Sequence, residues 1–562
     1  MTLSTQHLAN NGGSVAEATE RSLFALGSDA EAIDGQCGTM VADSRDCIPN
    51  DAKDRVAAPL EEGDQEALGA ATATVLQDQT NLLPMRQLLV IFAGLSTAMF
   101  CTCISLVGRE LWLKAAGAML DQTIVSTALP SLGRVFDEAD IASWVGTAYM
   151  LTSTAFQPLY GRLSDIFGRK SILIGNLLIF LLGSILCAVS KNMIMLIVCR
   201  AVAGIGGGGI TTTVTIVVSD VVSLQDRGKY QGIIGVVVSA ATALGPVVGG
   251  LFTEKVSWRW CFYINIPLSA IAIIIVTLVL PLKPVRGSMS TKLKQIDYAG
   301  CLISSAVAVL ILLPISWGGT RYAWDSAAVL APLITGFILV ALFVLVEIKF
   351  AVIPVIPMHM FRNVHVSTCI FTTFVTGFAT FLPQFYQVVR GDSPLESGIL
   401  ILPLILCQIV TSFSSGILVS KYACYRWNLL IGYALWTIAS GLFTTVDSST
   451  SSAKLVGYQL LTGLGSGQTL QITLVAIQAA LPRHEMAVVT SSRNFLRMVG
   501  STLAIAATAA LLNNVVKTTL ISKGLPQSTI SSIVADPTAI NTLGLSAEDK
   551  SAAIDAYGRF SA

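Results

Sequence analysis

Long apolar runs alternate with short polar stretches from about residue 88 onwards. A helix that crosses the hydrocarbon core of a bilayer needs about 20 mostly apolar residues, and thirteen runs approach or reach that length. They lie near 88–107, 141–160, 171–189, 194–218, 230–252, 262–282, 298–317, 328–347, 366–386, 396–419, 427–446, 455–477 and 488–512. In lipid, a helix satisfies its own backbone hydrogen bonds. The pattern therefore predicts an all-α polytopic membrane protein.

The composition excludes a soluble protein, because hydrophobic residues make up 53% of the chain and charged residues only 12%. Soluble domains carry about 25% charged residues. Residues 1–80 differ from the apolar region: they hold 14 acidic and 4 basic side chains and contain no sustained apolar period. We predict that this segment is a disordered acidic tail.

The positions of Lys and Arg predict the orientation. If the loops are taken alternately from 161–170 onwards, one set carries 14 Lys and Arg residues and the other set carries 7. Basic residues accumulate in cytoplasmic loops. We therefore expect the set that contains 161–170 to be cytoplasmic, together with the N-terminal tail.

Asp121 and Arg200 fall in or beside apolar runs, where a charge is costly and needs a reason. Asp121 begins one run, and a carboxylate removed from water can exchange a proton near neutral pH. It either couples transport to protons or contacts substrate, or it only caps or pairs within the bundle. Arg200 lies inside another run and does not deprotonate, so we expect it to hold a neighbouring carboxylate or polar backbone group.

Glycine-rich stretches punctuate two of the runs. The glycines at 204–209 follow Arg200 and allow close helix approach; no strand precedes them, so a nucleotide-binding loop is not indicated. The stretch 245–250 combines Pro246 with glycines, and proline bends a helix. This stretch acts either as a seal or pivot between two halves or as a plain packing motif.

Arg493 and Arg497 are four residues apart and therefore lie on one helix face. Two interpretations are open. They either face an aqueous cavity and attract an anionic substrate, or extend towards the cytoplasmic headgroups. From the sequence alone we favour the second.

Several motifs occur together in one order. The loop at 161–170 fits the pattern G-x-L-x-D-x-x-G-R-K, with matches at Gly161, Leu163, Asp165, Gly168, Arg169 and Lys170. An R-x-x-x-G pattern and a G-P-x-x-G-G pattern follow, at Arg200 and Gly204 and at Gly245, Pro246, Gly249 and Gly250. The chain thus resembles the major facilitator superfamily. Stretches 121–130, 258–267 and 317–324 make it most similar to the 14-span drug:proton antiporter branch, and to fungal pumps that export toxins and secondary metabolites.

The resemblance implies a major facilitator fold: an N-terminal helical half at 85–282, a linker with two extra helices at 283–350, and a C-terminal half at 351–513. A substrate site would lie between the halves, with access alternating between the two sides. The resemblance also implies that Asp165 holds the cytoplasmic side shut, that Arg200 serves proton coupling, and that Asp121 couples protons or contacts substrate.

Two features depart from the family pattern. An insert at about 101–117 divides the first span into two apolar pieces, 88–107 and 115–132; we expect only one to cross, and an unspliced intron to explain the insert. The segment 514–562 is polar and contains no fourteenth run. We expect a truncated or frame-shifted gene model there, with the last span missing.

These observations predict a transporter rather than an enzyme: proton-coupled efflux of a small, fairly apolar toxin, drug or secondary metabolite. The alternatives are import or vacuolar transport of an amino acid or siderophore, and a non-transporting membrane sensor. We expect no cofactor other than the proton gradient. The expected partners are a small-molecule substrate and the lipid bilayer, without nucleic acid, for a monomer in the plasma membrane or the vacuolar membrane.

Overall fold

The computed structural model describes residues 118–526, apart from gaps at 281, 283–284, 286–287, 319–321, 352, 377–381, 393, 423 and 447–449, and isolated positions beyond 526. The predictions for the acidic tail, the run at 88–107 and the insert at 101–117 lie outside the described residues. Within the described part the regular structure is helical, with one isolated bridge between Gly318 and Tyr322.

Six helices form the first half. They are α1 (Ala118–Phe136), α2 (Trp144–Phe167), α3 (Arg169–Ala188), α4 (Met193–Val221), α5 (Arg227–Lys255) and α6 (Asn265–Val279), with single turns at Ala139–Ala142 and Trp260–Tyr263. Helix α4 is central and packs against α2 and α3. Its N-terminus is fixed by Asn192, whose side chain accepts a hydrogen bond from Met195 N. The glycines at 206–209 allow this packing, because a Cβ there would meet atoms of α2 or α3.

Two helices follow the first half: α7 (Tyr298–Trp317) and α8 (Ala327–Lys349), after a short helix at Met289–Lys294. They coincide with the predicted extra helices. Helix α7 packs against α2, whereas α8 packs chiefly on α7. Phe337 and Ile338 of α8 are 65% and 63% exposed. Large apolar side chains exposed on this scale indicate a surface that faces lipid.

The described part of the second half contains eight α-helices. Seven are numbered here: α9 (Val364–Val375), α10 (Leu382–Val388), α11 (Leu402–Tyr422), α12 (Arg426–Phe443), α13 (Ser452–Thr469), α14 (Ile472–Ala479) and α15 (Met486–Ser522). The eighth is a short helix at Pro394–Leu400, and single turns lie at Met358–Arg362 and Arg483–Glu485. Helices α13 and α14 form one span, because Leu470 and Gln471 between them keep right-handed helical dihedrals. Helix α15 continues past the predicted end at 512, and Val516 and Leu520 are buried.

Seven helical segments of the described part are long and apolar enough to cross a membrane. They are Arg169–Ala188, Met193–Val221, Trp260–Leu278, Tyr298–Trp317, Ala327–Lys349, Glu396–Tyr422 and Ser452–Ala479. Helices α2, α5 and α15 carry buried polar side chains, among them Gln157, Gln231 and Ser491. The chain is therefore an integral membrane protein with polar groups inside its helical bundle.

The two halves meet along two helix pairs, α2 with α15 and α5 with α11. Both pairs approach closely at one end of the bundle, where Gly168 joins α2 to α3 and residues 222–226 join α4 to α5. This end is called the basic end below. It holds Arg169 and Lys170, and it is the end that the charge bias predicts to be cytoplasmic.

Candidate functional site

Asp121 and Arg200 form a buried ion pair inside the first half. Asp121 lies in the first turn of α1, and the Arg200 guanidinium of α4 donates from Nη1 to Asp121 Oδ2. The side chains are 0% and 1% exposed, respectively. Asn265 at the start of α6 donates from Nδ2 to the other carboxylate oxygen at 2.9 Å. Buried charges need such partners, so three helices are tied together at one polar point.

Tyr149 of α2 lies against this ion pair. The Arg200 Cζ atom is 4.2 Å from the centroid of the Tyr149 ring, within the range of a cation–π contact. Arg200 Nε also donates to the backbone oxygen of Val145 at 3.2 Å. Tyr149 lines the central cavity as well. One aromatic side chain therefore touches both the buried charges and the cavity.

The central cavity lies between the two halves. Helices α2, α4 and α5 line it from one side, and α11, α13 and α15 from the other. The polar side chains in its wall are Tyr149, Ser153, Gln157, Thr211, Thr215, Ser239, Gln408, Ser412, Gln471, Arg493, Asn494 and Arg497. The larger apolar ones are Ile234, Val238, Leu470 and Met498. A concave site with converging polar groups is typical of small-molecule binding.

Arg493 and Arg497 both line this cavity. Arg493 is 4% exposed, and it donates to the Leu470 backbone oxygen and, at 2.9 Å, to Thr473 Oγ1. These bonds fasten it to the connection between α13 and α14. Of the two interpretations open for this pair, the structure shows the placement in the cavity wall.

An ion-pair network closes the basic end within the first half. Arg169 donates from Nη1 to Asp165 Oδ1 and from Nε to Asp220 Oδ2, the latter at 2.8 Å. Arg162 lies 3.8 Å from the second Asp165 oxygen. Lys170 donates to the backbone oxygen of Thr277 at 2.7 Å, which ties the loop to α6. The loop residues thus tie the ends of four helices, α2, α3, α4 and α6, to one another.

Two glycines of the same loop have distinct physical roles. Gly168 has φ of 96°, a conformation that costs a side-chain-bearing residue free energy. Gly161 instead permits contact between the halves, because a Cβ there would lie 2.3 Å from Ser491 Oγ and 3.0 Å from the Ala487 backbone oxygen of α15. The helices can pack this closely only without a side chain at 161.

Hydrogen bonds between the halves join residues at or near the basic end, as far as the described residues show. Gln478 donates to Ser219 Oγ at 2.7 Å, and the backbone N–H of Lys229 donates to Ser420 Oγ at 2.8 Å. Longer bonds run from Ser491 to the Pro158 backbone oxygen at 3.4 Å and from Ser412 to the Gly232 backbone oxygen at 3.5 Å. The two halves are therefore in contact at the basic end, which closes that side of the cavity.

Comparison with known proteins decides the family. The sequence profile of the Major Facilitator Superfamily matches residues 111–505. The chain belongs to the major facilitator superfamily.

Relatives within the superfamily are fungal exporters. The chain is 36% identical to "Efflux pump dotC" of Dothistroma septosporum over 425 residues, which is 75% of this chain and 72% of that protein. It is 34% identical to "Citrate exporter 1" of Yarrowia lipolytica over 519 residues, or 92% of this chain and 74% of that protein. These matches confirm the predicted family and its likeness to fungal efflux pumps, and they identify the protein as a transporter rather than an enzyme.

A solved structure supports the fold alone. The human organic anion transporter MFSD10 (TETRAN) superposes with a TM-score of 0.51 and 14% identity, covering 85% of this chain and 98% of that one. The predicted major facilitator fold is confirmed.

In this superfamily member the stretch at 245–250 lies within α5, which runs without interruption and packs along α1. Gly245 and Gly249 are buried, whereas a Cβ at Gly250 would meet nothing within 4 Å. Its role as a seal, pivot or packing motif stays a prediction.

Three residues of the site were not singled out from the sequence: Tyr149, Asn265 and Asp220. The sequence could have indicated Asn265, because a lone amide between isoleucines in an apolar run needs a polar partner. Asp220 likewise stands at the end of the apolar run of α4, across from the basic loop. Nothing in the sequence indicated Tyr149, because an aromatic residue in a helix is compatible with ordinary packing.

Proposed function

We propose that the protein exports a small organic molecule by alternating access, with proton entry as the driving force. The observation that carries this proposal is the contact of Tyr149 with both the Asp121–Arg200 pair and the central cavity. The carboxylate of Asp121 is thereby linked to the cavity wall through Arg200 and Tyr149.

Protonation of Asp121 would neutralise one partner of the ion pair while the arginine keeps its charge. Arg200 would then retain its contacts to Val145 and Tyr149, both on α2. Helix α2 also forms the cavity wall and, through Gly161, the seam with α15. A change of charge at Asp121 therefore acts on the same helix that lines the cavity and seals the basic end.

The direction of transport follows from orientation and relatives. If the basic end is cytoplasmic, as the loop charges predict, the closed seam blocks access to the cavity from the cytoplasm, as expected of a state that releases exported cargo. Relatives named as an efflux pump and a citrate exporter support export. We propose the plasma membrane as the location, with the N-terminus in the cytoplasm.

The test is secretion from cells. The full-length protein is expressed in a yeast strain that lacks its own drug exporters, and the compounds in the medium are compared with those of an empty-vector strain. We expect at least one metabolite to accumulate outside, and a protonophore or Asp121→Asn to abolish that accumulation.

The matched control is Glu254→Gln, which removes an acid whose side chain is 73% exposed. It should leave secretion unchanged. Identical media from expressing and empty strains would rule out export, and depletion of a compound from the medium would indicate import instead. Secretion that survives both the protonophore and Asp121→Asn would rule out proton coupling through this residue.

A further inference from the structure

The described wall of the central cavity carries positive charge and no negative charge. Arg493 and Arg497 contribute two guanidinium groups, whereas no Asp or Glu is among the described residues that line it. The two arginines lie one turn apart on the same face of α15, where like charges repel each other.

Neither arginine is neutralised by a described carboxylate. The ion pairs of the described residues involve other arginines, together with Lys255, His359 and His484. The Nε atoms of both Arg493 and Arg497 are buried and have no hydrogen-bond partner among the described residues. The other two guanidinium nitrogens of Arg493 donate to the Leu470 backbone oxygen, Thr473 Oγ1 and Asn494 Oδ1. A buried charge without a counter-ion is costly, so each unpaired Nε–H is a donor that a ligand can satisfy.

A guanidinium cannot relieve this cost by losing its proton. An entering anion relieves it directly, because it supplies both the missing charge and the missing hydrogen-bond acceptor. The planar arrangement of guanidinium N–H groups matches the two oxygens of a carboxylate. The two arginines therefore favour an oxyanion with this geometry.

The other lining residues suit an organic ligand that has both a polar and an apolar part. Amide side chains of Gln157, Gln408 and Gln471 and hydroxyl groups of Ser153 and Thr211 offer both donors and acceptors. A wholly apolar compound would leave these groups without partners, which costs binding free energy. The apolar side chains of the wall, named above, can contact the carbon skeleton of such a ligand.

We propose that the cavity binds a small organic carboxylate, with Arg497 as its principal contact and the free Nε–H of Arg493 as the second. This inference rests on the proposed transport function, because it names the cargo class of the same cavity. Arg493 also anchors the wall, whereas Arg497 has no described hydrogen bond and serves the ligand alone.

The experiment measures thermal unfolding of the purified full-length protein in detergent as ligand is added. The probes are sodium salts of acetate, benzoate, succinate and citrate, with trimethyl citrate as the uncharged counterpart and sodium phosphate as an inorganic oxyanion. We expect at least one carboxylate to raise the unfolding midpoint in a saturable way and the triester to leave it unchanged. Phosphate should have a smaller effect than that carboxylate, because it has no carbon skeleton to contact Ile234, Val238 and Met498.

The variants are Arg497→Gln and Arg497→Lys, with Arg362→Gln as a control that removes an exposed arginine from the turn at Met358–Arg362. Loss of a charged hydrogen bond weakens binding by about tenfold or more. We expect that loss for Arg497→Gln, a partial loss for Arg497→Lys because charge without the planar fork remains, and wild-type binding for Arg362→Gln.

Three results would overturn the proposal: no stabilisation by any carboxylate, equal stabilisation by trimethyl citrate or phosphate, or undiminished carboxylate binding by Arg497→Gln. Flux in proteoliposomes separates this proposal from the transport proposal. If a carboxylate binds but a pH gradient drives no flux, proton-coupled export is contradicted, whereas the proposal that the cavity binds a carboxylate is not. Proton-driven flux of a neutral compound that is unchanged in Arg497→Gln would contradict the carboxylate proposal and support proton-coupled export.

Discussion

Tyr149 stacks on Arg200, with the guanidinium carbon 4.2 Å from the ring centroid, and it borders the central cavity. We therefore expect the aromatic ring to shield the Asp121–Arg200 pair from water in the cavity. This relationship leads to a first prediction about proton leakage.

Tyr149→Ala should open a path from the cavity to Asp121 and allow protons to pass without cargo. The measurement is the decay of an imposed pH gradient in proteoliposomes, followed with a pH-sensitive dye inside the vesicles. Tyr149→Phe keeps the ring, so the pH gradient in its vesicles should decay at the wild-type rate. Equal decay rates for wild type and Tyr149→Ala would show that the ring is not the barrier.

Asn265→Leu should destabilise the protein, because it removes the donor that lies 2.9 Å from Asp121 Oδ1 and leaves a buried carboxylate oxygen uncompensated. The expected cost is roughly 1–3 kcal/mol, seen as a lower thermal unfolding midpoint. The control is the same change in an Asp121→Asn background, where no carboxylate needs the bond. The cost should be smaller there, and strictly additive effects would contradict the contact.

Gly161→Ala should loosen the seam between the halves, because the added Cβ would lie 2.3 Å from Ser491 Oγ. The measurement is amide hydrogen exchange of peptides covering 486–492, which should speed up as this end opens. Gly146→Ala is the matched control in the same helix, since a Cβ there meets nothing within 4 Å. Adding Ser491→Ala to Gly161→Ala removes the clashing hydroxyl and should restore slow exchange in part.

Asp220→Asn should weaken the lock at the basic end, because Arg169 would lose the charge of its 2.8 Å partner and keep only Asp165. We expect faster exchange in peptides around 164–170 and at the start of α5. The exposed Glu254→Gln serves as the charge-matched control. Unchanged exchange at this end in Asp220→Asn would mean that the Asp165–Arg169 contact is sufficient.

The sequence predicted the helices well and the site only in part. Apolar runs such as 298–317 and 328–347 matched helices because the length of a span follows from the thickness of a bilayer. The partnership of Asp121 with Arg200 was only an expectation that each needed some partner, since they are 79 residues apart. Which way Arg493 and Arg497 face depends on how α15 is rotated against α13, and packing rather than composition sets that rotation.

Because packing between distant segments is not visible in the sequence, the role of Tyr149 and the full length of α15 were also missed. Nothing in a tyrosine on an otherwise ordinary helix indicates that it touches a charge on α4. The polar sequence after residue 512 gave no reason to extend the last helix, yet Val516 and Leu520 are buried at spacings of one helical turn. Sparse apolar residues sufficed because they join one buried apolar cluster with residues far away in the sequence, such as Leu382 and Phe385 of α10.

Helix α7 touches both halves of the transporter. Ser305 lies against the Ala155 backbone oxygen of α2 at 3.4 Å, Trp317 lies beside Trp144 with ring centroids 5.7 Å apart, and the same helix contacts α15. If the halves move against each other, as the proposed alternating access requires, these contacts with both halves must change or move together with α7. The inserted pair therefore belongs to the seam itself, with α7 in contact with both halves and α8 packed on its outer side.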